Sequence, residues 1–212
     1  MPQARRGALA NLPDAAALGE AVTTALAENP IASLLALDLD NFHQVNVAVG
    51  HEAGDRVLEA AGAVLVDAAR AEGWTLARIG GDAFALLAPR VALEAAFLRA
   101  DRLRGDLNAA MARALPNGSR CTTSIGVASA PRDAKKAEDL VRKADLALYA
   151  AKEQGGDTVA LTPEEDMVLR SSYYPAAQLA RLRTLAERLK SKESVLLREA
   201  LDDLIRKYDR PT

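Results

Sequence analysis

Two apolar rhythms divide this chain. Residues 31–37 form a nearly continuous apolar run, the pattern of a strand covered on both faces, and end in Asp38-Leu39-Asp40-Asn41-Phe42. Residues 13–28 instead repeat Ala and Leu at helical spacing and stop at Asn29-Pro30. Helices are predicted over 42–49 and 51–71, the second with Val57, Leu58, Ala61, Val64, Leu65 and Ala68 on one face. Runs at 74–79 and 84–87 flank Gly80-Gly81-Asp82, which predicts a tight β-hairpin with the glycines supplying positive φ. A long amphipathic helix follows over 91–115, a strand over 122–128, a helix over 137–154 and a closing strand over 158–161. This alternation predicts an α/β domain.

The rhythm breaks at the polar, proline-containing stretch 162–168, which we take as a linker between a domain at 1–161 and another at 169–212. A β-prone run at 169–174 stops at Pro175. Leu179, Leu182, Leu185, Ala186 and Leu189 then mark one helix. Ser191 is placed as the N-cap of a second helix, whose apolar side holds Leu196, Leu197, Ala200, Leu201, Leu204, Ile205 and Tyr208. Strand, helix, turn and helix in so few residues cannot bury both faces alone, which predicts a homodimer through this domain with its strands paired.

Composition narrows the classes. Half of the 212 residues are hydrophobic, 26% are charged and the net charge is −2, a globular balance. The single cysteine, Cys121, excludes an internal disulfide framework and leads us to expect a reducing, cytoplasmic setting. No apolar run is long enough for a bilayer, so no membrane partner is expected. After Val168 there are ten Lys/Arg against six Asp/Glu, so a basic tail of +4 follows an acidic body of −6. Such a tail suits a polyanion.

The candidate chemistry lies between Asp38 and Phe84. Asp38 and Asp40 fall at i and i+2 on one face of a strand end, and a hairpin laid beside that strand would bring Asp82 to Asp38. Converging carboxylates with room for phosphate hold Mg²⁺ for a nucleoside triphosphate. The spaced series Asp38, Asp40, Phe42, Asn46, Gly50-His51, Gly54-Asp55 and Gly80-Gly81-Asp82-Ala83-Phe84 resembles the GGDEF family of diguanylate cyclases. Ser124-Ile125-Gly126-Val127 and Ala144-Asp145 through Ala151-Lys152 extend the likeness.

The resemblance implies a palm-like, nucleotidyl-cyclase-type α+β sheet with flanking helices that takes GTP with Mg²⁺ and makes cyclic di-GMP across a homodimer. It implies metal contacts from Asp38, Asp82 and the Leu39 carbonyl. Asn46 and Asp55 would read guanine, local helix capping being the competing use of both. Phe42, His43, Gly80, Gly81 and Lys152 would complete the nucleotide site. Several expected groups are missing. Ala83 stands where the motif has Glu, His43 where it has Lys, Val47 where Asp follows Asn, and Gly156 where an Arg would meet phosphate. The product-inhibition Arg-x-x-Asp falls on Ala71-Glu72-Gly73-Trp74 and is absent. No catalytic residue is therefore assigned, and the domain is expected to be catalytically degenerate. His51 is expected to pack and cap.

The tail resembles the ribbon-helix-helix DNA-binding family through Leu182, Leu185-Ala186 and Ser194 to Leu201. That likeness implies paired strands in the major groove and a phosphate at the second helix's N-terminus. One strand register turns Leu169, Ser171 and Tyr173 to DNA, with Arg170 reaching phosphate; the other exposes Arg170, Ser172 and Tyr174. Ser191 and Lys192 would lie at the phosphate. The combined expectation is a DNA-binding transcriptional regulator that senses a guanine nucleotide, either GTP or cyclic di-GMP. A weak diguanylate cyclase is the alternative.

Overall fold

The computed structural model describes Leu9 and residues 11–115, 119–162, 174–189, 191 and 193–208. The chain divides into two compact units, Met1–Glu164 and Glu165–Thr212. Among the described residues no helix is long and apolar enough to cross a membrane.

The first unit runs α1 (Ala15–Glu28), β1 (Ala32–Asp40), α2 (Phe42–Val49), α3 (His51–Glu72), β2 (Thr75–Arg78), β3 (Ala83–Pro89), α4 (Leu93–Ala114), β4 (Thr122–Ala130), α5 (Ala137–Glu153) and β5 (Val159–Leu161). Its five strands form one sheet in the order β2-β3-β1-β4-β5. The apolar run becomes the central strand because it is the one that can be covered on both sides. Leu35, Leu37 and Leu39 face one core with Val57, Ala61 and Leu65 of α3 and Leu103, Leu107 and Met111 of α4. Leu34 and Ala36 face the other with Leu18 and Val22 of α1 and Leu140 and Ala144 of α5. Burying each such leucine contributes about 1.5–3 kcal/mol.

β1 pairs antiparallel with both β3 and β4, and β5 joins β4 in parallel. The strand is longer than expected and carries Asp38 opposite Ala83 and Ser124, and Asp40 opposite Thr122. Helix α1 begins at Ala15 because the Asp14 carboxylate accepts from the Ala17 amide at 2.9 Å.

Two expectations are corrected here. The connection from β2 to β3 is not a tight turn of glycines at positive φ, since neither Gly80 nor Gly81 is in that region. Instead the Ala83 carbonyl accepts from Ile79 N at 2.9 Å and Gly80 N at 3.2 Å, which makes a wider turn. His51 neither packs nor caps; it is exposed at the start of α3, whose N-cap is Gly50.

In the second unit, α6 (Ala176–Leu189) and α7 (Glu193–Tyr208) form a helical pair. The Ser191 amide donates to the Ala186 carbonyl at 3.0 Å and closes α6 two residues before α7 begins. Ala186 is buried, whereas Leu189, Leu201, Leu204, Ile205 and Tyr208 remain exposed on the single chain. The proposed strand residues Leu169, Arg170, Ser171 and Tyr173, and also Lys192, lie outside the described residues.

Candidate functional site

A cleft of about 520 Å³ opens at the end of the central strand, lined by Asp38, Leu39, Asp82, Phe42, His43 and Lys152 among others. The β1–β3 register makes Asp38 and Asp82 near neighbours, because Asp38 faces Ala83, the residue after Asp82. The Leu39 amide donates to the Asp82 carbonyl at 3.4 Å and ties the turn to the strand. Burial pushes the Asp38 carboxyl above the usual carboxylate range; Lys152 opposes this by hydrogen bond and charge, and Asp82 and Asp40 add to it. Lys152, on the last turn of α5, places its ammonium 2.5 Å from Asp38 Oδ1.

Asp40 has a different task from Asp38. It is buried and accepts from Thr122 Oγ1 at 2.8 Å, Ser124 Oγ at 2.7 Å and the Asp157 amide at 2.9 Å. Gly156 lies against it at φ 77°, and a Cβ there would stand 3.1 Å from the carboxylate. Asp157 in turn accepts from Arg104 Nη1, Asn108 Nδ2 and Arg120 Nη2, all at 2.6 Å. The loop after α5 is thus fastened to the strand end by a buried carboxylate and from outside by two guanidiniums and an amide. Neither Asp157 nor its cationic partners was found by sequence reasoning, since the donors lie tens of residues apart and show no local spacing.

The other wall is α2. Asn41 precedes it at φ 59°, ψ 18° with no side-chain cap, so the first amides of α2 have no side-chain acceptor from that residue. Where α2 meets α3 the Asn46 amide lies over Gly54, the residue before Asp55; a Cβ there would stand 1.8 Å from Asn46 Oδ1. The N-cap of α3 is Gly50. Asp55 lines a smaller cavity of about 190 Å³ with Leu9, Leu58, Glu59 and Arg78. Arg78 spans from that cavity to the turn, donating through Nε to the Gly80 carbonyl at 3.1 Å and through Nη2 to the Gly81 carbonyl at 2.6 Å. Its position two residues before the glycines was the available signal for this clamp. At the former Arg-x-x-Asp position, Arg99 pairs with Glu72 at 2.9 Å and lies 5.8 Å over the Trp74 ring.

Carboxylates at a strand end, a wide Gly-Gly turn and an uncapped helix start form one constellation, and residues 8–158 match the family described as diguanylate cyclase, GGDEF domain. The chain belongs to the GGDEF family. Residues 170–209 match the ribbon-helix-helix domain. The GGDEF domain is 41% identical over 133 residues to an uncharacterized Mycobacterium tuberculosis protein, covering 62% of this chain and 21% of that one. It is 38% identical over 127 residues to diguanylate cyclase DgcM of Escherichia coli, covering 60% and 30%. Among solved structures, the GGDEF domain of DgcB from Caulobacter crescentus in complex with c-di-GMP is 28% identical with a TM-score of 0.64, covering 72% of this chain and 92% of that one. These curated relatives are much longer: the matches span only about a fifth to a third of their lengths.

The donors at this cleft suit Mg²⁺. Asp38 and Asp82 are hard oxygen ligands, and the Lys152 ammonium already stands beside Asp38 as a stand-in cation. Among the described residues no three acidic, histidine or cysteine side chains form a complete metal cluster. Oxygens from a ligand would have to complete the coordination.

Proposed function

We propose that this protein is a homodimeric DNA-binding transcriptional regulator whose GGDEF domain senses a guanine nucleotide, either GTP or cyclic di-GMP. The observation that carries the reading is the union of two domains in one chain, a GGDEF domain at 8–158 and a ribbon-helix-helix domain at 170–209. GTP would enter with its guanine edge toward Asn46 and Asp55 and its phosphates toward Phe42, His43, the Gly80-Gly81 turn and Lys152. Asp38, Asp82 and the Leu39 carbonyl would hold Mg²⁺, which supplies charge neutralisation to the triphosphate.

The Ala83 side chain has no group able to bind metal or move a proton, and Gly156 offers no cation to phosphate. Losing such groups commonly costs orders of magnitude in rate, which favours sensing over synthesis. The exposed apolar side chains of α6 and α7 support assembly through the second domain, since a helical pair alone leaves Leu201, Leu204 and Ile205 in water. Cytoplasmic DNA is the partner that such a dimer fits.

The decisive experiment is calorimetric titration of GTP into the whole protein with Mg²⁺, with cyclic di-GMP assayed in the same sample. Binding without product, followed by selection of a DNA site whose affinity changes with GTP or cyclic di-GMP, is expected. DNA affinity that is identical with and without every guanine nucleotide would sink the coupling. The retention of Asp38 and Asp82 in one cleft favours a second reading, a slow diguanylate cyclase. Product that vanishes in Asp82→Ala would establish it.

A further inference from the structure

The ammonium of Lys152 occupies the carboxylate that a divalent cation would need. It sits 2.5 Å from Asp38 Oδ1, and the Asp38 side chain is only 21% exposed, so the bond is charge-assisted and partly desolvated. A cation arriving alone must displace the ammonium and leave it without that partner. Among the described residues lining the cleft, Lys152 is the single lysine or arginine, and Asp38, Asp40 and Asp82 are the carboxylates. Asp40 is already committed to three donors. Asp38 and Asp82 cannot by themselves fill the shell of a hard divalent ion.

A polyphosphate answers both deficits. Its oxygens supply the missing ligands, and one of them accepts the displaced ammonium. The cleft has a seat for it beside Lys152, where Asn41 turns left-handed and leaves the start of α2 without a side-chain cap. The lysine can make the exchange without backbone motion, because its side chain is 41% exposed on a flexible stem. We propose that Lys152 is a latch on Asp38 that a nucleotide's polyphosphate draws away, so that the site takes up a divalent cation only together with a nucleoside di- or triphosphate. This inference rests on the nucleotide reading given above and adds to it an order of assembly.

The test is titration of the whole protein with Mn²⁺, followed by the loss of the free-ion paramagnetic resonance signal. It is run alone and with guanosine, GDP or GTP, on wild type, Lys152→Met, Lys152→Gln and Lys152→Arg. Wild type should bind Mn²⁺ roughly tenfold or more tightly once GDP or GTP is present, with guanosine giving no gain. Lys152→Met and Lys152→Gln should bind Mn²⁺ alone roughly tenfold or more tightly than wild type, because the competing charged hydrogen bond is gone. Lys152→Arg, which keeps the charge, should stay near wild type. Equal Mn²⁺ affinity of wild type and both neutral variants, with GDP still bound, overturns the latch and leaves the nucleotide reading standing. A gain in the neutral variants with no binding of GDP or GTP by any form overturns the nucleotide reading instead, and the polyphosphate trigger with it.

Discussion

Replacing Asp40 by alanine should destabilise the GGDEF domain more than any other single change at the cleft. The carboxylate is 8% exposed and holds three donors, from Thr122, Ser124 and the Asp157 amide. Hydrogen bonds to a charged group are worth about 1.5–3 kcal/mol each, and a buried donor left unpaired costs about 1–3 kcal/mol. Two of the donors are hydroxyls that can rotate to new acceptors, so their full value is not lost. The Asp157 amide cannot rotate. The net loss should be about 3–5 kcal/mol, or roughly 6–20 °C in melting temperature for a chain of this size. Thr122→Val, which deletes one donor, should cost about 1 kcal/mol. Urea unfolding followed by Trp74 fluorescence is the assay, since this is the single tryptophan and it is buried in the first unit. A loss below about 1 kcal/mol in Asp40→Ala would refute the view that this carboxylate fastens the loop.

Three further outcomes are expected. Asp38→Asn should raise the melting temperature at pH 7, because the Asp38 carboxyl is shifted upward in the fold and its ionisation therefore opposes folding; melting curves at falling pH should show the gain disappear near the ordinary value of 3.8, where both states are protonated. Cys121 should resist iodoacetamide at pH 8 in the native protein and react once denatured, as burial and then the charges of Asp40, Asp82 and Asp38 push its thiol up to about 12; mass spectrometry of the adduct decides this. Gly54→Ala should drive the Asn46 amide from its place, given the 1.8 Å approach, cost about 1–3 kcal/mol, and weaken guanine-nucleotide binding measured by calorimetry.

The central strand and both layers of helices were legible because apolar periodicity is a local property. Leu34 to Leu37, and then Leu39, alternate between two cores as their positions require. The convergence of Asp38 and Asp82 followed from placing the hairpin beside the strand. The shape of the turn did not follow, because Gly-Gly permits positive φ without requiring it, and the Ala83 carbonyl gathers two amides in a wider bend. The different tasks of Asp38 and Asp40 were equally hidden. Spacing puts both on one face, but the donors that bury Asp40 come from β4 and from the loop after α5. The direct pairing of Lys152 with Asp38 joins residues 114 positions apart, and no window of sequence contains it.

Asp38 hangs from the middle strand of the sheet, held by neighbours on both sides, while its counter-ion hangs from a surface helix by four methylenes. The moving part of the site is therefore one side chain over a fixed floor. Rotamer exchange of an exposed lysine takes picoseconds to nanoseconds, far faster than hinge motions of domains. Ligand capture at this cleft would then be timed by diffusional encounter, with the latch adding selectivity and no delay.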